Sequence, residues 1–232
     1  MIEAYRREIA LIGEENFAKL RAAHVYVFGI GGVGSFAAEA LVRAGVGRLT
    51  FVDGDAVAES NLNRQLVALR STLGKNKARV MAERARDIDP SCRAEAVEEF
   101  YNEATAEKFR FAGAACVADC IDDVSAKVRL LAAVRGAGVP AVSAMGAGNK
   151  LCGNAFRIAP IERTRECPLA KIVRRELKQR GVSGVLAVYS EEKPLTPLGM
   201  EGERRIGSVS FVPSAAGLLV AEAVVKTIIG QG

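Results

Sequence analysis

Apolar residues along this chain come in short runs, each followed by a stretch with helical spacing. HVYVFGI (24–30) reads as a strand, 33–44 as a helix, RLTFVD (48–53) as a second strand and roughly 75–88 as a second helix. RAEAVE (93–98) follows, then a helix near 103–110, the strand AACVAD (114–119), a helix at 124–136 and the strand VPAVSA (139–144). Strands alternating with helices imply a mostly parallel sheet with right-handed crossovers. The first 145 residues therefore read as a doubly wound α/β sheet.

The rhythm changes after that. Residues 146–153 are rich in turn formers, and NAFRIAP (154–160) reads as an added strand. Residues 161–206 are polar and punctuated by Pro168, Pro194 and Pro197, with one helix expected near 168–180, so they read as an inserted lobe. The tail PSAAGLLVAEAVVKTIIG closes the chain as an apolar helix. It is short for a membrane span and carries Glu222 and Lys226, so it reads as a core helix without membrane contact. The fold class expected is a Rossmann-like α/β sheet with added C-terminal strands, an inserted lobe and a closing helix, as a single domain over 1–232.

Composition narrows the setting. The chain has 232 residues, half of them hydrophobic and a quarter charged, enough for one large domain. The charged N-terminus shows no signal-peptide pattern, and five cysteines at irregular spacing do not form a secreted disulfide framework, so a cytoplasmic setting is expected. A net charge of +5 is compatible with an acidic partner without requiring one.

Candidate chemistry begins at VFGIGGVGS. Gly29, Gly31 and Gly34 fit G-x-G-x-x-G between a strand and a helix, with Gly32 inside the same turn. Asp53 stands where a ribose-binding acid belongs. Hydride transfer by an NAD-dependent oxidoreductase is a distant alternative, because its partners are wanting. The only histidine, His24, begins the first strand at the wrong end for a ligand, and Tyr189 and Lys193 keep a Tyr-x3-Lys spacing in a polar loop.

DGDAVAESNLNRQ (53–65) instead brings Asp55, Asn61, Arg64 and Gln65 to the loop beyond the second strand, and LGKNKA adds Lys75 and Lys77. Cationic groups there suit a triphosphate. In ADCIDD, Asp122 or Asp119 offers hard oxygen for Mg²⁺ on the phosphates.

GIGGVGS, VDGDAVAESNLNRQ, GKNKA and CIDD, in that order over about 1–145, resemble the ThiF-like adenylating enzymes, which include ubiquitin-activating enzymes and sulfur-carrier activators. The resemblance implies ATP as cofactor with Asp53 on the ribose, Arg64 and Lys77 on the phosphates and Asp122 on Mg²⁺. It also implies a homodimer in which Arg7 reaches the partner subunit's ATP. The chemistry implied is attack of a carboxylate on the α-phosphate, giving an acyl adenylate and pyrophosphate.

No C-x-x-C pair exists for the structural zinc usual among sulfur-carrier activators, so no structural zinc is expected. ERTRECPLAKIVRRELKQRGV, AVYSEEKP and GSVSFVPSAAGLLVAEAVV resemble instead the branch that dehydrates threonylcarbamoyladenosine in tRNA, with Cys167 where that pattern leads to Asp. On this resemblance 1–145 binds ATP and 146–232 meets the substrate. Residues 161–180 carry seven Lys or Arg against three Glu, and Lys171, Arg174, Arg175 and Lys178 become candidate tRNA contacts. Activation of the C-terminal Gly-Gly of a small sulfur-carrier protein is the alternative. A sulfur-transfer or redox protein partner is left open.

Overall fold

The computed structural model describes residues 2–196 and 206–231. Two helices, α1 (Ile2–Ile12) and α2 (Glu14–Ala22), lead into β1 (His24–Phe28), α3 (Gly34–Arg43) and β2 (Arg48–Val52). Next come α4 (Lys77–Ile88), β3 (Arg93–Val97), β4 (Cys116–Asp119), α5 (Val124–Gly136) and β5 (Ala141–Ala144). The chain then forms β6 (Phe156–Pro160), α6 (Pro168–Gln179), β7 (Val185–Ser190) and α7 (Phe211–Ile229).

These strands build one seven-stranded sheet in the order β3-β2-β1-β4-β5-β7-β6. Every pairing is parallel except β6 with β7. Alternate side chains of β1 feed two cores: Val25 and Val27 join the core with α3, α4 and α7, while Phe28 joins Tyr101, Phe109, Phe111 and the apolar faces of α5 and α6. The order reverses between β1 and β4, and in such sheets ligands bind at the carboxyl edge of that switch point.

Two expectations need correction. The polar lobe expected at 161–206 is in good part sheet and covering helix. Val185–Ser190 is a buried strand running parallel to β5, and α6 packs over it through Val173 and Leu177. Residues 197–205 of that lobe, with Pro197, lie outside the described residues. The helix expected near 103–110 is a single turn, Ala106–Lys108, because Phe109 and Phe111 are drawn into the aromatic cluster beneath Phe28.

The tail helix α7 is long and apolar enough to cross a membrane by length and composition, yet half of it is buried in the fold. A Cβ at Gly217 would lie 2.3 Å from the Val33 carbonyl, so glycine lets α7 press against the start of α3.

Candidate active site

The Gly-rich turn after β1 opens a cleft of about 910 Å³ at the carboxyl edge of β1, β4 and β5. Two glycines shape it sterically. Gly29 has φ +82°, and a Cβ there would lie 2.7 Å from the Cys120 carbonyl, so side-chain-free backbone lets β1 and β4 converge. At Gly34 a Cβ would fall 1.8 Å from the Gly29 carbonyl, which binds the turn tightly to α3. Gly34 thus supports the turn from behind, whereas Gly29, Gly31 and Gly32 line the cleft.

Asp53 directly follows β2 at the cleft wall. Its Oδ2 accepts from the Ile30 N–H at 2.6 Å and its Oδ1 from the Asp55 N–H at 2.8 Å, which locks the carboxylate across the Gly-rich turn. Burial pushes the Asp53 pKa up, against those two hydrogen bonds and nearby Lys77. Each carboxylate oxygen accepts one of these bonds and keeps capacity for a further hydrogen-bond donor.

Lys77, the first residue of α4, is buried and donates to Asp55 Oδ2 at 2.8 Å. One guanidinium nitrogen of Arg64 is held by the Ser60 carbonyl and Asn63 Oδ1, both at 2.8 Å, which points the group along the cleft wall. Asn61 is buried and accepts from the Ala58 N–H. Gln65 is also buried, and its amide oxygen has no hydrogen-bond partner among the described residues. A buried acceptor left open beside the turn fits a site completed by a bound donor.

The loop after β4 gives two neighbouring carboxylates different work. Asp123 caps α5 by accepting from the Ala126 N–H at 2.7 Å. Asp122 lines the cleft, is exposed and has no hydrogen-bond partner among the described residues, so its hard oxygens are available to Mg²⁺. Asp119 is corrected as a metal candidate. It is fully buried, 2.7 Å from Lys127 Nζ and 2.6 Å from Ser143 Oγ, and accepts from the Ile121 N–H. This buried group fixes the loop carrying Asp122. Lys127 escaped sequence reading because one lysine in a helix ordinarily reads as a solvated charge.

The other candidates lie elsewhere. Arg7 is exposed on α1 and does not line the cleft, and His24 bonds Thr50 Oγ1 at the start of β1. Lys171, Arg175 and Lys178 are exposed on α6, whose first residues Pro168 and Leu169 reach the cleft. Arg174 is half-buried on α6, and one of its guanidinium nitrogens donates to the Thr164 carbonyl at 2.6 Å and to Thr164 Oγ1 at 2.7 Å, pinning the turn before α6. Cys167 is the buried N-cap residue of α6 and also lines the cleft. Tyr189 is buried in β7 while Lys193 lies beyond it, exposed, so no helix aligns them. Among the described residues no three His, Cys, Asp or Glu side chains gather as a metal cluster.

Comparison with known proteins bears on the family and the fold. The ThiF family pattern matches residues 5–232. The tRNA threonylcarbamoyladenosine dehydratase of Bacillus subtilis is 38% identical over 244 residues, covering 99% of this chain and 96% of its own. Crystal structures of the E. coli tRNA N6-threonylcarbamoyladenosine dehydratase are similar to this chain with TM-score 0.91 and 34% identity. The complex with ATP covers 99% of this chain and 95% of its own, and the complex with AMP covers 99% and 96%.

Proposed function

The chain belongs to the ThiF family, and from that premise we propose that it uses ATP to adenylate and then cyclise N6-threonylcarbamoyladenosine in tRNA. The observation that carries this reading is full-length similarity to an ATP-bound dehydratase joined to the cleft itself, where Asp53, Arg64, Gln65, Lys77 and Asp122 converge beside the Gly-rich turn.

Asp53 holds the ribose hydroxyls and so fixes the nucleoside. Arg64 and Lys77 neutralise the phosphate oxygens, where negative charge grows as an oxygen of the threonyl carboxylate attacks the α-phosphorus. The bond from that phosphorus to pyrophosphate breaks, leaving an acyl adenylate. Asp122 would hold Mg²⁺, which supplies charge neutralisation on the phosphates. The carbamoyl oxygen or nitrogen of the same side chain then attacks the activated carbonyl carbon, a urea proton is lost to solvent, and AMP departs with the former carboxylate oxygen. The net change in the nucleoside is loss of one water. Tethering supplies much of the second step, because the attacking atom is already held near the carbonyl.

The exposed position of Arg7, away from its own chain's cleft, supports a homodimer in which it serves the partner copy's ATP. The exposed cations Lys171, Arg175 and Lys178 on α6 support contact with tRNA phosphates beside the cleft, and a cytoplasmic setting belongs to the same reading. The test is AMP release from ATP with two tRNA preparations. Release should depend on tRNA carrying the threonylcarbamoyl group, and equal release with unmodified tRNA would contradict the reading.

A further inference from the structure

Lys150 is the one buried lysine of the cleft's substrate side among the described residues. It follows β5 on the turn Gly146–Lys150, is 3% exposed, and lines the same cleft as Arg64 and Lys77. Its Nζ donates to the main-chain carbonyl of Glu192, a neutral acceptor. The Glu192 carboxylate is turned elsewhere, accepting from the N–H groups of Leu151 and Cys152, both at 2.9 Å. No carboxylate among the described residues lies within ion-pair distance of Lys150. Burying an ammonium without an anionic partner is costly, so such a group is ordinarily completed by something that binds.

The turn is built to hold that ammonium in place. Asn149 adopts a left-handed φ of +59°, and its N–H donates to the Gly207 carbonyl at 2.8 Å. Its side-chain oxygen accepts from the Gly207 N–H at 2.6 Å, and its carbonyl accepts from the Leu195 N–H at 2.7 Å. Asn149 on one side and Leu151 on the other thus fix the backbone around Lys150, and the hydrogen bond to the Glu192 carbonyl is what holds the ammonium. The other cleft cations, Arg64 and Lys77, sit on the loop and helix after β2 with the nucleotide-side residues.

We propose that Lys150 binds the carboxylate of the acyl substrate and holds it for attack on the α-phosphate, an assignment that rests on the function proposed above. Two anions must meet in that step, and a fixed buried cation lowers their repulsion while orienting the nucleophilic oxygen. The ammonium forms no covalent bond and loses no proton in this role. It confers specificity as well, because tRNA lacking the threonylcarbamoyl group presents no carboxylate to it.

The test compares wild type, Lys150→Met and Lys150→Arg for equilibrium binding of ATP, of modified tRNA and of unmodified tRNA, together with turnover. Wild type should bind modified tRNA more tightly than unmodified. Lys150→Met should lose about tenfold or more of that preference, bind ATP and unmodified tRNA as wild type does, and turn over poorly; Lys150→Arg should restore part of both. Thermal melting serves as the check that each variant is folded. A Lys150→Met protein that keeps both the preference and the turnover would overturn the proposal. So would one that loses ATP affinity while keeping the preference, since the ammonium would then serve the α-phosphate. Wild type that ignores modified tRNA altogether would strike the function proposed above, a result separate from any difference among the variants.

Discussion

Lys77 Nζ lies 2.8 Å from Asp55 Oδ2, with the lysine side chain 7% exposed and the aspartate 54% exposed. The pair is lopsided: the ammonium is inside the cleft and its counter-ion is at the mouth, in water. Removing the lysine therefore leaves Asp55 solvated, at a stability cost of about 1 kcal/mol or less. The same change removes a cleft cation that the proposed function sets against the phosphates. Lys77→Met should melt close to wild type but form AMP about a hundredfold or more slowly, as a radiolabelled ATP assay would read.

Asp122 makes a complementary case. It is exposed in the cleft and has no hydrogen-bond partner among the described residues, so Asp122→Asn should leave the melting transition unchanged. If it carries Mg²⁺, the variant should need far more Mg²⁺ for half-maximal AMP formation. A titration that superimposes on wild type would remove Asp122 from the metal site.

Two glycines of one motif should respond differently to the same substitution. A Cβ at Gly31 meets only Gln65 Nε2, at 3.8 Å, so Gly31→Ala should fold normally and lose ATP affinity, because the methyl projects where the nucleotide must approach. At Gly34 the Cβ would be 1.8 Å from the Gly29 carbonyl, a clash that no side-chain motion relieves. Gly34→Ala should be insoluble or strongly destabilised. Thermal melting with and without ATP separates the two outcomes.

An acid-sensitive contact ties the N-terminal helices to the sheet domain. Burial works to raise the Asp89 pKa, but hydrogen bonds from Ser91, Tyr5 and Arg21 outweigh it and hold the group down at about 2. A depressed pKa means the contact stabilises the fold fully above about pH 4 and loses that contribution as pH falls toward about 2. Denaturant midpoints measured across that window should fall for wild type, and the fall should be shallower for Asp89→Asn, which is less stable at neutral pH.

The parts legible in sequence were those where one local signal settled the matter. β1, β2, β4 and β5 are apolar because the sheet is covered on both faces. The cleft residues Asp53, Asp55, Asn61, Arg64, Gln65 and Lys77 fall in one short span after β2, so spacing alone brought them together. What escaped depends on distant partners. Val185–Ser190 was hidden by the polar residues around it, although its own residues are apolar, and only pairing with β5 and β6 makes it a strand. The bond from Arg174 to Thr164 and the turning of the Glu192 carboxylate away from Lys150 both depend on partners that lie outside those residues' local patterns. Pairings over such separations carry no periodicity to read.

The most direct measurement of the central claim is the mass of the nucleosides of tRNA incubated with the purified protein, ATP and Mg²⁺. The account predicts that threonylcarbamoyladenosine loses the mass of one water, that the loss requires ATP, and that AMP appears in equal amount. An unchanged nucleoside mass, with AMP instead transferred to the C-terminal Gly-Gly of a small sulfur-carrier protein, would contradict it.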